Sequence, residues 1–536
     1  MTTAATPPAH GLPGLPGLPG PPGRPGQPGP PSRPGPPGPY GPRARAGAVL
    51  PARRGGAARA RSGGPPPAWP LHWLLIGYPL WWVLGLGQFA FWIFAVPMAV
   101  ELLRRHRATG LRLPPGFTLW GLFLVWGVVG LALIGTSPAG TVPGSGSLLG
   151  ALVRLGGYLA LTVVMLYVGN LSRRELPDLA VARSLGWLCL ATVAGGMLGL
   201  LAPEWEFTAP TERLLPAGLA ADAYVQDLLH PASAQIMDVL GYETARPKAP
   251  WEYTNTWGNM LSLLVPWLVV GWLARGPRPA AGPVAGAARP GSWWRPLVAG
   301  AALAVSLAPI VYSLNRALWA GLVLTVGLVL VLLVRAGRTL AVGAVVLGAT
   351  AALALALMSP LVDIVLERMD RPHSDDGRAA TSVAAVEAAN ASPVLGWGTT
   401  RDMAGSSESI AVGPSPECPG CGNHTIGNNG QLWLLLVANG WVGTALFLAF
   451  FGYTAWRHRR DTTPVGAAAL LTVLLLFWYM FFYVALTGPL AVTMIAVALL
   501  WRRGTRPLPP APPTAGASPA GTVPPKAPEP DARGGT

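Results

Sequence analysis

Residues 297–334 read LVAGAALAVSLAPIVYSLNRALWAGLVLTVGLVLVLLV, an apolar stretch in which Arg316 is the only charged residue. A membrane-spanning helix needs about 20 apolar residues, so this stretch is long enough for two crossings. A charge is costly at the centre of a bilayer and costs much less at the lipid surface. The pair Asn315 and Arg316 therefore predicts a turn between two membrane helices, at the surface of the bilayer.

The composition of the whole chain favours the same fold class. Of its 536 residues, 51% are hydrophobic, only 11% are charged and 22 are tryptophan. This balance excludes a water-soluble protein of this size. We predict an all-α polytopic membrane protein with about 12 transmembrane helices. The apolar runs lie at 71–103 (split near Gly87 into two short spans), 116–135, 148–170, 183–203, 256–274, 296–314, 317–334, 339–358, 430–454, 465–486 and 488–502.

Basic clusters between these runs predict the orientation of the chain. Cytoplasmic loops of membrane proteins carry an excess of Lys and Arg. With twelve spans every cluster falls on one side, which predicts a multi-pass protein of the cell (cytoplasmic) membrane with both termini cytoplasmic. The loops 204–255 and 359–429 then face outward, the second between the ninth and tenth spans. The clusters lie before residue 62, at 104–107 and 172–174, and near 275, 335, 456 and 501.

The two ends of the chain differ from the membrane domain expected at 69–502. Residues 1–68 and 503–536 are rich in Pro, Gly and Ala, and we expect both to be disordered cytoplasmic tails. Residues 11–43 follow a collagen-like Gly-X-Y period, for which we expect a solvated polyproline II tail rather than a triple helix. The net charge of +15 lies largely in these tails and basic clusters, so we expect contact with membrane lipids and not with nucleic acid.

Three polar residues of the predicted outer side suggest chemistry. Arg316 lies at an outward turn, although a role as an interfacial anchor stays open. Arg378 and His424 belong to the loop 359–429 and can converge with Arg316 at the membrane surface. Arginine pairs bidentately with phosphate oxygens, and a neutral histidine can accept a proton from a sugar hydroxyl. Together these residues predict glycosyl transfer from a lipid-linked diphosphate, with no cofactor.

Four segments resemble one family of membrane enzymes. YSLNRALWAGL (312–322) resembles the S-x-x-R element of the O-antigen ligase and O-antigen polymerase (Wzy-type) superfamily, and GRAATSVAAVEAANASPVLGWG (377–398) resembles its loop helix that begins at an Arg. NNGQLWLLLVANGWVGTALFL (428–448) is similar to the family's H-N-x-x-L span, and WEYTNTWGNMLSLLVP (251–266) is similar to its p-N-x-x-g element. The four occur in the family's order and fall on the predicted outer side.

The resemblance implies roles for particular residues. Members of this family move a glycan from a polyprenyl diphosphate carrier to an acceptor, so Arg316 and Arg378 would bind the diphosphate, with Asn315 beside them. The family's histidine position is occupied by Asn429, and the nearest histidine is His424, five residues earlier. Either His424 reaches the same point and acts as the base, or Asn429 only orients the substrate and catalysis is altered or lost.

Other polar residues of the outer side allow two or more interpretations. Arg154, near the outer end of its span, either contacts phosphate or extends to the lipid surface. Asn255 either caps the helix that follows it or contacts sugar. Cys418 and Cys421 form CPGC, for which we predict a local disulfide, with free thiols as the alternative. Together with His424 they offer three zinc ligands without a fourth, so we predict no metal site.

The outward loop 204–255 contains GLAADAYVQDLLHPASAQIMDVL (218–240). Its apolar residues are spaced for one helical face, which predicts an amphipathic helix lying over the bundle as a lid or acceptor platform. His230 within it is a second candidate base.

Our expectation is therefore an O-antigen ligase-like glycosyltransferase with a polyprenyl diphosphate-linked glycan as donor and a glycan or lipid as acceptor. A polymerase of the same superfamily uses a second lipid-linked glycan as acceptor, and the sequence does not separate the two. A lipid or glycan transporter would place its polar residues near the bilayer midplane. An inactive membrane scaffold is the last alternative, because the family's histidine is displaced.

Overall fold

The computed structural model describes residues 67–220, 223–273, 293–359, 361–370, 375–404 and 425–504. The two predicted tails lie outside these ranges, apart from Pro67 and Ala68 at the end of the first and Arg503 and Gly504 at the start of the second. Cys418, Cys421 and His424 also lie outside the described residues.

The described chain is mostly helical, with two short pairs of antiparallel strands. The helices are α1 Trp69–Ile76, α2 Tyr78–Val83, α3 Gly87–Thr109, α4 Phe117–Gly130, α5 Leu148–Asn170, α6 Asp178–Leu201, α7 Ala217–Ala220, α8 Ala223–Leu229, α9 Thr254–Leu268, α10 Trp294–Val305, α11 Leu307–Tyr312, α12 Arg316–Arg335, α13 Thr339–Leu357, α14 Leu361–Asp370, α15 Asp375–Ala391, α16 Gln431–His458, α17 Pro464–Tyr479 and α18 Thr487–Gly504. The strands are β1 Ala234–Asp238, β2 Glu243–Pro247, β3 Arg401–Asp402 and β4 Thr425–Ile426.

Eight helices of the described part are long and apolar enough to cross a membrane, which agrees with an all-α membrane protein. Two shorter apolar helices accompany them. The eight are Gly87–Thr109, Leu148–Asn170, Asp178–Leu201, Thr254–Leu273, Trp294–Tyr312, Arg316–Arg335, Thr339–Leu357 and Gln431–His458, and the shorter two are Phe117–Leu133 and Pro464–Tyr479.

The first apolar run differs in one respect from the prediction. The chain does break just before Gly87, but α3 is not a short span, because it continues for 23 residues and includes the basic cluster at 104–107. An ion pair between Arg105 Nε and Glu101 Oε1, 2.9 Å apart and one turn along the helix, stabilises this extension.

The helix α18 forms the centre of the bundle. All its residues from Thr487 to Arg502 are buried, and α5, α9 and α17 pack around it. Close approach to α5 depends on Gly169, where an added Cβ would lie 2.0 Å from the Trp501 ring. The helix α13 is the opposite case, because none of its side chains is buried. Its apolar surface is therefore available to lipid.

Ion pairs join several basic clusters at one end of the bundle, which we call the basic end. Asp178 pairs with Arg502 at 2.5 Å and with Arg503 at 2.7 Å. Arg503 also pairs with Asp461 at 3.3 Å. Nearby in the chain, Glu175 pairs with Arg105 of α3 at 2.6 Å. The clusters at 104–107, 172–174, 456 and 501 thus meet at the same end.

The non-membrane segments collect at the other end, which we call the loop end. Here β1 pairs with β2 in an antiparallel hairpin, with Gln235 opposite Arg246. The prediction of one amphipathic helix over 218–240 is wrong, because only α7 and α8 are helical and 234–238 is a strand. Burial falls along β1, from the buried Ala234 to the exposed Ile236, Met237 and Asp238, and backbone hydrogen bonds to β2 outweigh the weak helical pattern.

A kink in α16 joins two of the segments that carry the family resemblance. Gly440 has φ of 63° and ψ of −170° inside the helix, which leaves carbonyls of the preceding turn without helical partners. Trp397 N donates to Val437 O at 2.8 Å, and Gly398 N donates to Ala438 O at 2.9 Å. The segment that follows α15 is thereby fixed against α16, and the irregular backbone is satisfied within the protein.

Candidate functional site

The turn between α11 and α12 lies where the sequence predicts it, and Asn315 holds it. Leu314 adopts a left-handed conformation with φ of 52°, and Asn315 Oδ1 accepts a hydrogen bond from Leu318 N at 3.0 Å. This is an N-cap, the usual role of an asparagine before a helix. The Tyr483 hydroxyl also donates to Asn315 Oδ1. Asn315 is only 4% exposed, so the turn is fixed from both sides.

Arg246, on strand β2, reaches the same turn. Its Nε donates to Ser313 O at 2.7 Å, and its Nη2 donates to Asn255 Oδ1 at 3.4 Å. Met237 Sδ lies 3.7 Å from Nη1, and no carboxylate pairs with this guanidinium in the described part of the chain. Arg246 is 9% exposed. A buried cation without an anion is costly, and a bound anion would remove that cost.

Two further arginines add positive charge at this point. Arg368 of α14 is 5% exposed, and its Nε lies 3.4 Å from Leu314 O. Arg378, in the first turn of α15, is exposed. Burial and the nearby charges of Arg378 and Arg368 lower the pKa of Arg246 to about 10, so its guanidinium is charged at neutral pH. With Arg316, the half-buried first residue of α12, these three arginines form what we call the arginine cluster.

The structure brings most of the predicted site residues together. Tyr483 lies within electrostatic range of Arg378 and bonds to Asn315, the neighbour of Arg316. Asn429 Nδ2 donates to Thr381 Oγ1, one turn after Arg378 on α15. The Asn429 amide therefore fastens the start of α16 to the helix that carries Arg378.

Asn255 does not cap α9, which was one of its two expected roles. The cap position of α9 belongs to Tyr253, whose side chain makes no capping bond, and Asn255 instead holds Arg246. It therefore acts on the cluster through another side chain.

Arg154 lies away from the cluster. Its Nη2 donates to Thr399 Oγ1 at 3.0 Å, and it lines a cavity of about 20 Å³ with Tyr158 and Asn439. Tyr158 is connected to the cluster only indirectly, since its hydroxyl accepts from Gln431, whose backbone N donates to Tyr483 O.

Arg246, Arg368 and Tyr483 are the site residues that sequence reasoning missed. The argument that singled out Arg316, that cations are unusual in outward loops, applies equally to Arg246 and Arg368. Tyr483 gave no such signal, because a tyrosine near the end of an apolar run is ordinary in membrane proteins.

The described residues contain no group of three or more His, Cys, Asp or Glu that could hold a metal ion. In comparisons with known proteins, no family model matches the chain and no curated protein matches it.

The geometry itself is that of an anion site: several guanidinium groups meet beside an apolar bundle, where charge-assisted hydrogen bonds to phosphate oxygens are strong.

Proposed function

We propose that this chain is an O-antigen ligase-like glycosyltransferase that moves a glycan from a polyprenyl diphosphate carrier to an acceptor. The observation that carries the proposal is the arginine cluster: Arg246 of β2 and Arg368 of α14 contact the turn that precedes Arg316 of α12, and Arg378 of α15 lies within electrostatic range of Arg246. Four separate segments contribute to it, so the cluster depends on the tertiary fold.

The chemistry of the donor suits this cluster. A lipid diphosphate has a charged head and an apolar tail, which matches cations at the end of an apolar helix bundle. When the glycosidic bond to the phosphate breaks, negative charge develops on the leaving diphosphate. Fixed guanidinium groups stabilise that charge, which is the larger electrostatic share of such catalysis.

We further infer twelve membrane spans with the loop end outward. Four spans add to the eight long helices. The short helices α1 and α2 together form one of them, and α4, α17 and α18 form one each. With the basic end in the cytosol, positive charge lies on the side that the orientation rule requires. The cluster then faces the leaflet in which an exported lipid-linked glycan would be presented.

The proton of the acceptor hydroxyl needs a base. The resemblance assigns this role to His424, which lies outside the described residues, and Asn429 occupies the family's position. Asn429 in this chain supports Arg378 through Thr381, which favours an orienting role for it.

Deletion of the gene and complementation test the proposal. We expect the deletion strain to accumulate lipid-linked glycan, and Arg316→Ala and Arg378→Ala to fail to restore its transfer. Arg338→Ala is the matched control, since Arg338 is an exposed arginine beside α13 at the far end of α12. All variants are compared at equal abundance in the membrane.

The accumulated species distinguishes the alternatives. Lipid-linked polymer indicates a ligase, single lipid-linked repeat units indicate a polymerase, and glycan retained on the cytosolic leaflet indicates a transporter. Full complementation by both cluster variants would contradict the proposed role of the arginines.

A further inference from the structure

A histidine and a buried carboxylate form a pair in the segment between α6 and α9. His230 Nδ1 lies 3.1 Å from Glu212 Oε2, within hydrogen-bond distance. A carboxylate at this position fixes the tautomer of the imidazole, with Nδ1 protonated and Nε2 able to accept a proton. This is the arrangement by which a histidine becomes a general base.

Glu212 is held rigidly for this role. It begins a 3₁₀ turn, Glu212–Leu214, and its Oε1 accepts a hydrogen bond from Ala209 N at 2.8 Å. Thr211 Oγ1 anchors the same turn to Leu84 O at 2.8 Å, at the end of α2. Glu212 is 6% exposed, so its second oxygen is committed to His230.

The other face of the imidazole is accessible. His230 retains 25% side-chain exposure, and the charged group nearest to Nε2 is Glu206, whose carboxylate lies 3.7 Å away and is 65% exposed. An incoming hydroxyl can displace this exposed carboxylate. Trp205, beside Glu206, is 41% exposed and packs on Trp82 at 5.9 Å between ring centroids, which offers an aromatic face to a sugar ring.

Two links connect the segment of this pair to α9 and β2, the elements that carry Asn255 and Arg246. Asp227, three residues before His230, accepts a hydrogen bond from the Tyr253 hydroxyl at 2.9 Å, and Tyr253 directly precedes α9. Lys248, two residues after Arg246, lies within electrostatic range of Glu206 and Asp227. Among the described residues, the charged groups within 4 Å of His230 are Glu212 and Glu206, and Lys248 lies within electrostatic range of Glu206.

We propose that His230, oriented by Glu212, is the base that takes the proton from the acceptor hydroxyl. The acceptor oxygen forms a bond to the anomeric carbon of the donor sugar as the bond from that carbon to the diphosphate oxygen breaks. The electron pair leaves with the diphosphate, and the hydroxyl proton moves to His230 Nε2. This inference rests on the proposed function and assigns its acceptor side to residues outside the family resemblance.

The test uses the purified full-length protein and a lipid extract of the deletion strain, with release of polyprenyl diphosphate as the signal. We expect His230→Gln to lower turnover about 100-fold or more, the usual contribution of a general base. Binding of undecaprenyl diphosphate to this variant stays within about twofold of wild type, because the arginine cluster is intact. The loss falls on kcat, whereas the KM for the lipid-linked donor stays near the wild-type value.

Three further variants complete the design. Glu212→Gln keeps the bond to Ala209 N but weakens the orientation of His230, so turnover falls while undecaprenyl diphosphate still binds. His72→Gln is the control. His72, on α1, also forms a hydrogen bond through Nδ1, to Ser184 Oγ of α6 at 2.8 Å. His424→Gln tests the competing base and retains wild-type turnover if His230 is the base.

Unchanged turnover in His230→Gln, or lowered turnover that is matched by equally weakened binding of undecaprenyl diphosphate, would overturn the assignment and leave the proposed function standing. Wild-type protein that does not bind undecaprenyl diphosphate would overturn the proposed function, and this inference with it.

Discussion

Two buried arginines of this protein have opposite surroundings. Arg401 is fully buried, and its guanidinium donates to six backbone carbonyls, those of Leu133, Ile134, Thr136, Trp397, Thr399 and Thr400. Arg246 has one carbonyl, one amide oxygen and a sulfur. The first arginine therefore has its donors used by the fold, whereas the second can still bind phosphate.

Arg401→Ala should mainly lower stability. Removing the guanidinium leaves buried carbonyls without donors, at about 1–3 kcal/mol for each that water cannot reach. We expect the variant to melt several degrees below wild type in a thermal unfolding experiment, while Arg338→Ala melts with wild type. Equal melting of the Arg401 variant and wild type would show that these hydrogen bonds do not stabilise the fold.

Glu252 gives the protein a pH-dependent stability. Burial raises the pKa of its carboxyl to about 7, and Lys248 opposes the shift. An unfolded glutamate titrates near 4.3, so between that value and about 7 the folded state binds more protons, and stability falls as pH rises through this window. The melting temperature of Glu252→Gln should therefore fall less than that of wild type between pH 5 and pH 8.

The control for this experiment is Glu243→Gln, which changes an exposed carboxylate on β2. It should follow the wild-type pH dependence. Identical pH profiles for Glu252→Gln and wild type would contradict the assignment.

Helices were predictable in this chain, and the hairpins were not. Bilayer thickness sets the length of an apolar run, so spans such as 148–170 and 317–334 agree with α5 and α12 to within a residue. The turn at Asn315 followed from the cost of a charge in lipid. Strand β1 has no comparable constraint, because a short, half-exposed segment takes its structure from its partner. Arg246 could be suspected from its loop, but its contact with Ser313 depends on that unpredicted hairpin.

The kink of α16 gives a prediction for one element. A Cβ on Gly440 would lie 2.7 Å from Pro393 O, and φ of 63° is strained for any other residue. Gly440→Ala should therefore separate α15 from α16 and reduce thermal stability. Gly343→Ala, on α13, meets nothing within 4 Å and should be neutral or stabilise by about 0.5–1 kcal/mol. A Gly440 variant as stable as wild type would show that the kink is dispensable.

At the scale of the whole bundle, the described chain has one basic end and one loop end, and an outward donor site requires them on opposite sides of the membrane. Several helices run between the two ends. The helix α5 begins at Leu148, and near its other end Val168 O accepts a hydrogen bond from Arg502. The helix α18 begins near Tyr483 and carries Arg502 in its last turn. The polar chemistry is therefore separated from the basic clusters by the length of the bundle.

Labelling of intact cells tests this orientation. In a protein whose Cys418 and Cys421 are replaced by Ser, Glu243→Cys should react with a membrane-impermeant maleimide. Arg338→Cys should react only after the cells are permeabilised, since both positions are exposed but lie at opposite ends. The reverse pattern would place the loop end in the cytosol and exclude an outward donor site.

The binding of undecaprenyl diphosphate to the purified protein is the most direct test of the arginine cluster. Each charge-assisted hydrogen bond to phosphate contributes about 1.5–3 kcal/mol, so loss of one changes Kd about tenfold or more. We predict at least this loss for Arg246→Ala combined with Arg378→Ala, and a wild-type Kd for Arg338→Ala. An unchanged Kd in the double variant would contradict the account.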